Sequence, residues 1–154
     1  MIEIDIPGRA PLVIAHLVLD VNGTIACDGM LLPGVAERIA ALRDRIHVHL
    51  LTADTHGQQA AVDAELGLEA IIITGGMPEK AAYVLALGAD QVAAMGNGAN
   101  DTAMLNAAAL RIAVLGPEGM AAALLKSADV LVGDPCDGLD LLLHPRRLTA
   151  TLRR

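Results

Sequence analysis

The chain has 154 residues, of which 54% are hydrophobic and 1% aromatic, and its formal charge is −7 at neutral pH. That length is enough for a real core within one domain spanning residues 1–154. The acidic balance excludes a nucleic-acid footprint or a polybasic membrane surface, and the near absence of rings excludes a site that stacks bases.

No apolar run approaches the roughly 20 residues that span a bilayer, and the N-terminus lacks the basic-then-apolar pattern of a secretory signal. Cys27 and Cys136 are far apart and fit no metal spacing. The expectation is a cytoplasmic protein with reduced thiols. Tyr83 is the only aromatic ring, so the core must be Leu, Val, Ile, Ala and Met. Such a core suits continuous apolar strands of a parallel sheet covered by Ala-rich helices.

Met1 to Ile6 alternates apolar and polar residues, as an edge strand does, and Pro7-Gly8 turns it towards the apolar run Pro11 to Leu19. The short turn predicts a hairpin, with the second run as the first central strand and His16 packed within it. The run ends at Asp20, and Asn22-Gly23 bends the chain, because Gly adopts positive φ and Asn tolerates it. Asp20 thus falls at the carboxyl end of a buried strand, where open α/β sheets bind ligands. Taken alone, the segment reads equally as a strand with an ordinary turn. Ile25 to Leu32 carries Asp28-Gly29 between short apolar pieces, a hairpin signal. It is expected over the same sheet end, with Cys27 and Asp28 lining an entrance or forming a solvated tip.

Val35, Ile39 and Leu42 recur at helical spacing, and Ile46 to Leu51 reads as the next strand. His47 and His49 share one face of it, but no third ligand stands at a zinc-site spacing. Thr52 at the strand end is placed to contact a ligand, whereas Asp54 or Thr55 would cap a helix running to Leu66. After the strand Ile71 to Ile73 and the turn Thr74-Gly75-Gly76, Pro78 opens a helix with Lys80 in its first turn. A lysine there opposes the helix dipole, which makes an electrostatic task conceivable, although taken alone it reads first as an ordinary surface lysine. Gln91 to Met95 is a strand, and the Gly-rich stretch Gly96 to Asp101 brings backbone amides and Asp101 to the sheet end that holds Asp20. Leu110 to Leu115 and Asp129 to Val132 read as strands around a helix near 117–126. A last helix runs from Cys136 to Leu143, before Pro145. Arg146, Arg147, Arg153 and Arg154 read as a solubilising basic tail. Strands alternating with helices predict an α/β fold: three Rossmann-like layers around a mainly parallel sheet.

A carboxylate (Asp20), a hydroxyl (Thr52), a cation (Lys80) and a second carboxylate (Asp101) at successive strand ends suit phosphoryl transfer through an aspartyl-phosphate. The motifs are Asp20-Val21-Asn22-Gly23-Thr24, Leu51-Thr52-Ala53-Asp54, Pro78-Glu79-Lys80 and Met95-Gly96-Asn97-Gly98-Ala99-Asn100-Asp101. In this order they resemble those of the haloacid dehalogenase-like (HAD) superfamily, and within it the phosphorylation domain of P-type ATPases and their small soluble relatives. The resemblance implies a magnesium-dependent phosphatase of a small phosphorylated metabolite, with a β-hairpin flap and no cap domain. Asp20 would be the nucleophile and a Mg2+ ligand, and Asn22 would give its backbone carbonyl to the metal. Thr52 and Lys80 would bind the phosphoryl group. Gly23, Thr24, Ala53 and Asp54 would line the substrate. Asn97 and Asp101 would complete the metal site, Asp101 from behind the direct ligands. The short interval between Thr24 and Thr52 leaves no room for a pump's nucleotide domain. Capless relatives cover their sites with neighbouring subunits, which implies a homo-oligomer, dimer or tetramer, with no nucleic-acid or membrane partner.

Two positions depart from the family pattern. Asn22 stands where phosphatases of the family commonly carry an Asp that moves protons, and losing such a group costs about 100- to 10,000-fold in rate. Asn97 stands where a metal-binding Asp is usual, so a negative charge is missing. Slow turnover is expected. Two rival readings are a capless sugar-phosphate phosphatase resembling that for 3-deoxy-octulosonate 8-phosphate, and a degenerate module that binds without turnover. Asn22-Gly23 and Asn97-Gly98 are also dipeptides prone to deamidation, which would restore Asp at both positions.

Overall fold

The computed structural model describes residues 1–53 and 57–153. Asp54 and Thr55, with the capping and ligand roles expected of them, and Arg154 of the basic tail lie outside the described residues.

The first strands are β1 (Ile2–Ile4), β2 (Leu12–Ile14), β3 (His16–Asp20), β4 (Ala26–Cys27) and β5 (Met30–Leu31). Helix α1 (Val35–Arg43), β6 (His47–Thr52), α2 (Gln59–Leu66), β7 (Ile71–Ile72), α3 (Met77–Ala86) and β8 (Val92–Gly96) follow. The chain continues through α4 (Thr102–Ala107), β9 (Leu110–Val114), β10 (Val130–Val132), α5 (Pro135–Leu143) and α6 (Pro145–Leu152). Six strands form the main sheet in the order β10-β9-β8-β3-β6-β7, and each neighbouring pair is parallel. The chain builds outward from β3 through β6 to β7, then crosses back to place β8 on the other side of β3. The order therefore reverses beside β3, and the crevice of the sheet opens at its carboxyl end.

Alternate residues feed opposite faces. Leu17, Leu19, Leu50, Met95, Ile112 and Val114 pack on one side with Val35, Ile39 and Leu42 of α1 and Leu139 and Leu142 of α5. Val18, Leu51, Ala94 and Ala113 pack on the other with Val84 of α3 and Met104 and Leu105 of α4. Both faces being covered explains why Leu17, Val18 and Leu19 of β3 and Val92 to Met95 of β8 form unbroken apolar runs. No helix among the described residues is long and apolar enough to cross a membrane.

The expected α/β architecture is present, as is the flap. β4 and β5 pair antiparallel around Asp28 (φ 50°) and Gly29 (φ 77°), the two positive dihedrals of a tight hairpin turn. Several expectations need correction. The run Pro11 to Leu19 is two strands, because the chain changes partners at Ala15: β2 pairs with β1 in a separate hairpin, and β3 enters the main sheet. Helix α2 begins at Gln59, with no side-chain cap at Gln58. Of 117–126 only Ala122–Lys126 is helical, as a 3₁₀ turn. Ahead of it Gly116 bridges to Gly119, whose φ of 81° a helix cannot use. Pro145 does not end the fold. It occupies the first turn of α6, where its missing N–H costs nothing, and Leu148 is buried beneath that helix.

The histidines also meet. Parallel register sets His16 opposite His47, with ring centroids 5.3 Å apart. His16 Nδ1 lies 3.1 Å from His49 Nε2, and the Tyr83 hydroxyl lies 2.9 Å from His49 Nδ1. Burial, then the charges of His16 and His47, pushes the His49 imidazole down to about 4.

Candidate active site

Asp20 ends β3 and is 6% exposed. The turn after it is fixed by the backbone: Gly23 N–H donates to the Ala26 carbonyl at 2.8 Å, and Thr24 N–H to that of Val21 at 3.2 Å. Gly23 takes φ +82°, and a Cβ there would stand 2.6 Å from the Asn97 side chain. The turn thereby returns the Thr24 hydroxyl beneath the carboxylate, where it lies 2.9 Å from Asp20 Oδ2 and 3.1 Å from Asn97 Oδ1.

Lys80 arrives from α3. Glu79 accepts hydrogen bonds from the backbone N–H groups of Thr74 and Gly75, which fixes the turn ahead of the helix. The Lys80 ammonium is buried and donates to Asp20 Oδ1 at 2.6 Å and to Asp101 Oδ1 at 2.7 Å. Asp101 is itself held: its Oδ2 accepts from the backbone N–H of Asn97 at 3.1 Å and of Gly98 at 2.9 Å. A Cβ on Gly96 would collide with the Asp101 side chain at 2.5 Å, so the close approach requires glycine.

With both carboxyls ionised, this buried trio holds two negative charges and one positive. Burial first, then the charge of Asp101, lifts the Asp20 carboxyl to about 7, against the pull of Lys80 and of the Thr24 hydroxyl. Burial pulls Lys80 down, but Asp20 and Asp101 outweigh it and hold its ammonium above the ordinary value.

In front of the trio lies a cavity of about 240 Å³ lined by Asp20, Asn22, Ala53 and Asn97, as expected, together with Gly98, Asn100 and Glu118. Its donors are carboxylate and amide oxygens, with neither thiol nor imidazole among the lining side chains, and that chemistry fits a hard divalent cation such as magnesium. Asp20, the Asn22 main chain and Asn97 are the residues that could hold one. Asp101 and Lys80 stand behind the cavity wall, and the Thr24 hydroxyl is turned to the nucleophile. Thr52 is buried at the end of β6, and its hydroxyl accepts a hydrogen bond from Asn22 Nδ2 at 3.2 Å.

Glu118 escaped the sequence reading because residues 117–126 were assigned to a helix. The signal was present, since glycines flank Pro117-Glu118 and mark a turn. Both Asn-Gly pairs are also locked. Succinimide formation needs the following backbone nitrogen as nucleophile, yet Gly23 N–H is bonded to Ala26 and Gly98 N–H to Asp101. The folded site therefore opposes deamidation.

A parallel sheet with a buried aspartate, lysine and second aspartate gathered at its carboxyl end defines the class. The fold is that of solved haloacid dehalogenase (HAD) family hydrolases, such as one from Streptomyces avermitilis, which aligns with a TM-score of 0.65 at 22% identity over 84% of this chain and 85% of that one. By sequence, the chain belongs to one family with an uncharacterized protein of Methanocaldococcus jannaschii, to which it is 46% identical over 63 residues, 41% of this chain and 68% of the relative. It is also 40% identical over 129 residues to "Probable cation-transporting ATPase G" of Mycobacterium tuberculosis, a match covering 81% of this chain and 16% of that protein. Among solved structures, 3-deoxy-D-manno-octulosonate 8-phosphate phosphatase from Moraxella catarrhalis, in complex with magnesium, phosphate and its sugar, aligns with a TM-score of 0.67. Its identity is 18%, covering 91% of this chain and 94% of that one. No family model matches the chain.

Proposed function

We propose that the chain is a magnesium-dependent phosphatase of a small phosphorylated metabolite, acting as one domain through an aspartyl-phosphate on Asp20. The observation that carries this reading is the Asp20 carboxylate, fixed by Lys80 and Thr24, facing a cavity of oxygen donors. The phosphatase of like fold that holds magnesium and phosphate supports it.

Asp20 attacks phosphorus, the ester P–O bond breaks, and the leaving oxygen takes a proton from water. Water then attacks the phosphorus, the Asp20–phosphorus bond breaks, and inorganic phosphate departs. Lys80 opposes the charge that grows on the phosphoryl oxygens, and its two carboxylate bonds hold it there without reorganisation. Magnesium, when bound, supplies charge neutralisation beside Asp20. The Asn22 amide cannot exchange protons at neutral pH, so the second step is slow and phosphoenzyme accumulates. A cytoplasmic homo-oligomer whose subunits shield one another's cavities completes the proposal.

The test is rapid quenching with acid after mixing with a phosphate ester. A burst of acid-stable, base-labile phosphoprotein, mapped by peptide mass spectrometry to Asp20, is expected. Phosphate release in a single fast phase with no covalent species would overturn the slow-hydrolysis mechanism. The Asn22 amide also favours a second reading, a module that binds phosphorylated ligands without turnover. Ligand binding with neither burst nor release selects it.

A further inference from the structure

Glu118 and Asp28 come from separate parts of the chain and meet at the edge of the cavity, which Glu118 lines. The loop carrying Glu118 lies directly on the turn after the nucleophile, since a Cβ on Gly116 would stand 2.9 Å from the Gly23 carbonyl oxygen. Asn97 anchors the same loop: its Nδ2 donates to the Gly119 carbonyl at 3.0 Å, and its carbonyl accepts from Ala121 N–H at 2.8 Å. Glu118 Oε2 is 2.8 Å from where a Cβ on Gly23 would be, and Oε1 accepts from Asp28 N–H at 3.3 Å. Ligand atoms of Cys27, Asp28 and Glu118 all lie within 4.8 Å of one another, and both acids are exposed. Burial first, then the charges of Asp28 and Glu118, pushes the Cys27 thiol up, as a negative field must.

We infer that Glu118, with Asp28 beside it, makes the cavity mouth a charge filter that favours phosphate esters with a cationic leaving group and rejects those with a carboxylate. This rests on the phosphatase reading and deepens it to a substrate class. Inside, the phosphoryl group meets the metal-type donors, with the Lys80 ammonium behind Asp20 opposing its charge. The rest of the substrate must pass outward beside Glu118, which lines the cavity. The main-chain contacts on Asn97 and the flap hold that carboxylate in place, so it discriminates without reorganising. A unit charge about 6 Å away, at the intermediate dielectric of a cavity mouth, changes affinity on the order of tenfold in either direction. An acidic sugar phosphate is thereby disfavoured.

The test uses three short alkyl esters that differ in terminal charge: aminoethyl, propyl and carboxymethyl phosphate. With magnesium present, kcat/KM is expected to fall in that order, with the ratio between the extremes at tenfold or more. Glu118→Gln should bring the ratio close to one, and Glu118→Lys should invert it. High salt should shrink it in the wild type. Affinities for the same esters, read by titration calorimetry, should show the same order independently of turnover. If rates or affinities are equal in the wild type, or if Glu118→Gln leaves the ratio intact, the filter is wrong. If no ester is hydrolysed but affinities follow the order, the phosphatase reading fails and the filter stands.

Discussion

Lys80 and Asp20, 60 residues apart in sequence, are joined by a buried hydrogen bond of 2.6 Å between ammonium and carboxylate. The same ammonium reaches Asp101 at 2.7 Å, so one cation serves two carboxylates that the fold has removed from water. A salt bridge of this kind is weak evidence for stability, since desolvation offsets the attraction. Its value lies in placement: it holds the nucleophile and the charge that opposes the phosphoryl oxygens in fixed relation.

Removing the cation should be costly. Lys80→Met leaves two carboxylates buried against each other, a loss of about 3–5 kcal/mol in unfolding free energy. Urea denaturation checks it, and magnesium should restore part of the loss by supplying the missing charge. A change below about 0.5 kcal/mol, typical of a surface substitution, would remove Lys80 from the account.

Asn22→Asp should speed phosphoenzyme hydrolysis by about 100-fold or more, because a carboxylate there can move protons. Single-turnover decay of the phosphoprotein reads this directly. An unchanged decay rate would mean that proton transfer does not limit the step.

Acid stability should depend on His49. Its folded value of about 4 lies below the ordinary 6.5, so the unfolded chain binds more protons between those values. The contribution is complete above pH 6.5 and is lost as pH falls towards 4. One proton is worth at most about 1.4 kcal/mol per pH unit, and less here because His49 is only partly buried. His49→Gln should flatten the fall in unfolding free energy across that window. An identical slope in the variant would contradict the assignment.

Deamidation should be slow in the folded protein. Peptide mass spectrometry of aged native protein should find Asn22 and Asn97 intact, with conversion appearing once urea releases Gly23 and Gly98 N–H. Equal rates folded and unfolded would show that these bonds do not protect the site.

The gathering at the sheet end is legible because Asp20 and Thr52 end apolar strands while Lys80 and Asp101 follow the turns after β7 and β8, and in a parallel sheet all these positions share one edge. The flap was equally legible, since Asp28-Gly29 accepts the positive dihedrals that its turn demands. Register was not. His16, His49 and Tyr83 meet only because β3 pairs with β6 and α3 covers them, which no local pattern encodes. The split at Ala15 was hidden for the same reason, as an apolar run does not say which strand it pairs with. The Ala-rich stretch that follows Glu118 hides its loop despite the flanking glycines, and Pro145 hides α6 because proline both follows helices and opens them.

The most direct measurement is magnesium-dependent phosphate release from an aryl phosphate by the wild type and by Asp20→Asn. Slow release by the wild type, abolished in the variant and by chelation, is the predicted result. Equal release from both proteins, or none from either, would contradict Asp20 as the nucleophile of a phosphatase.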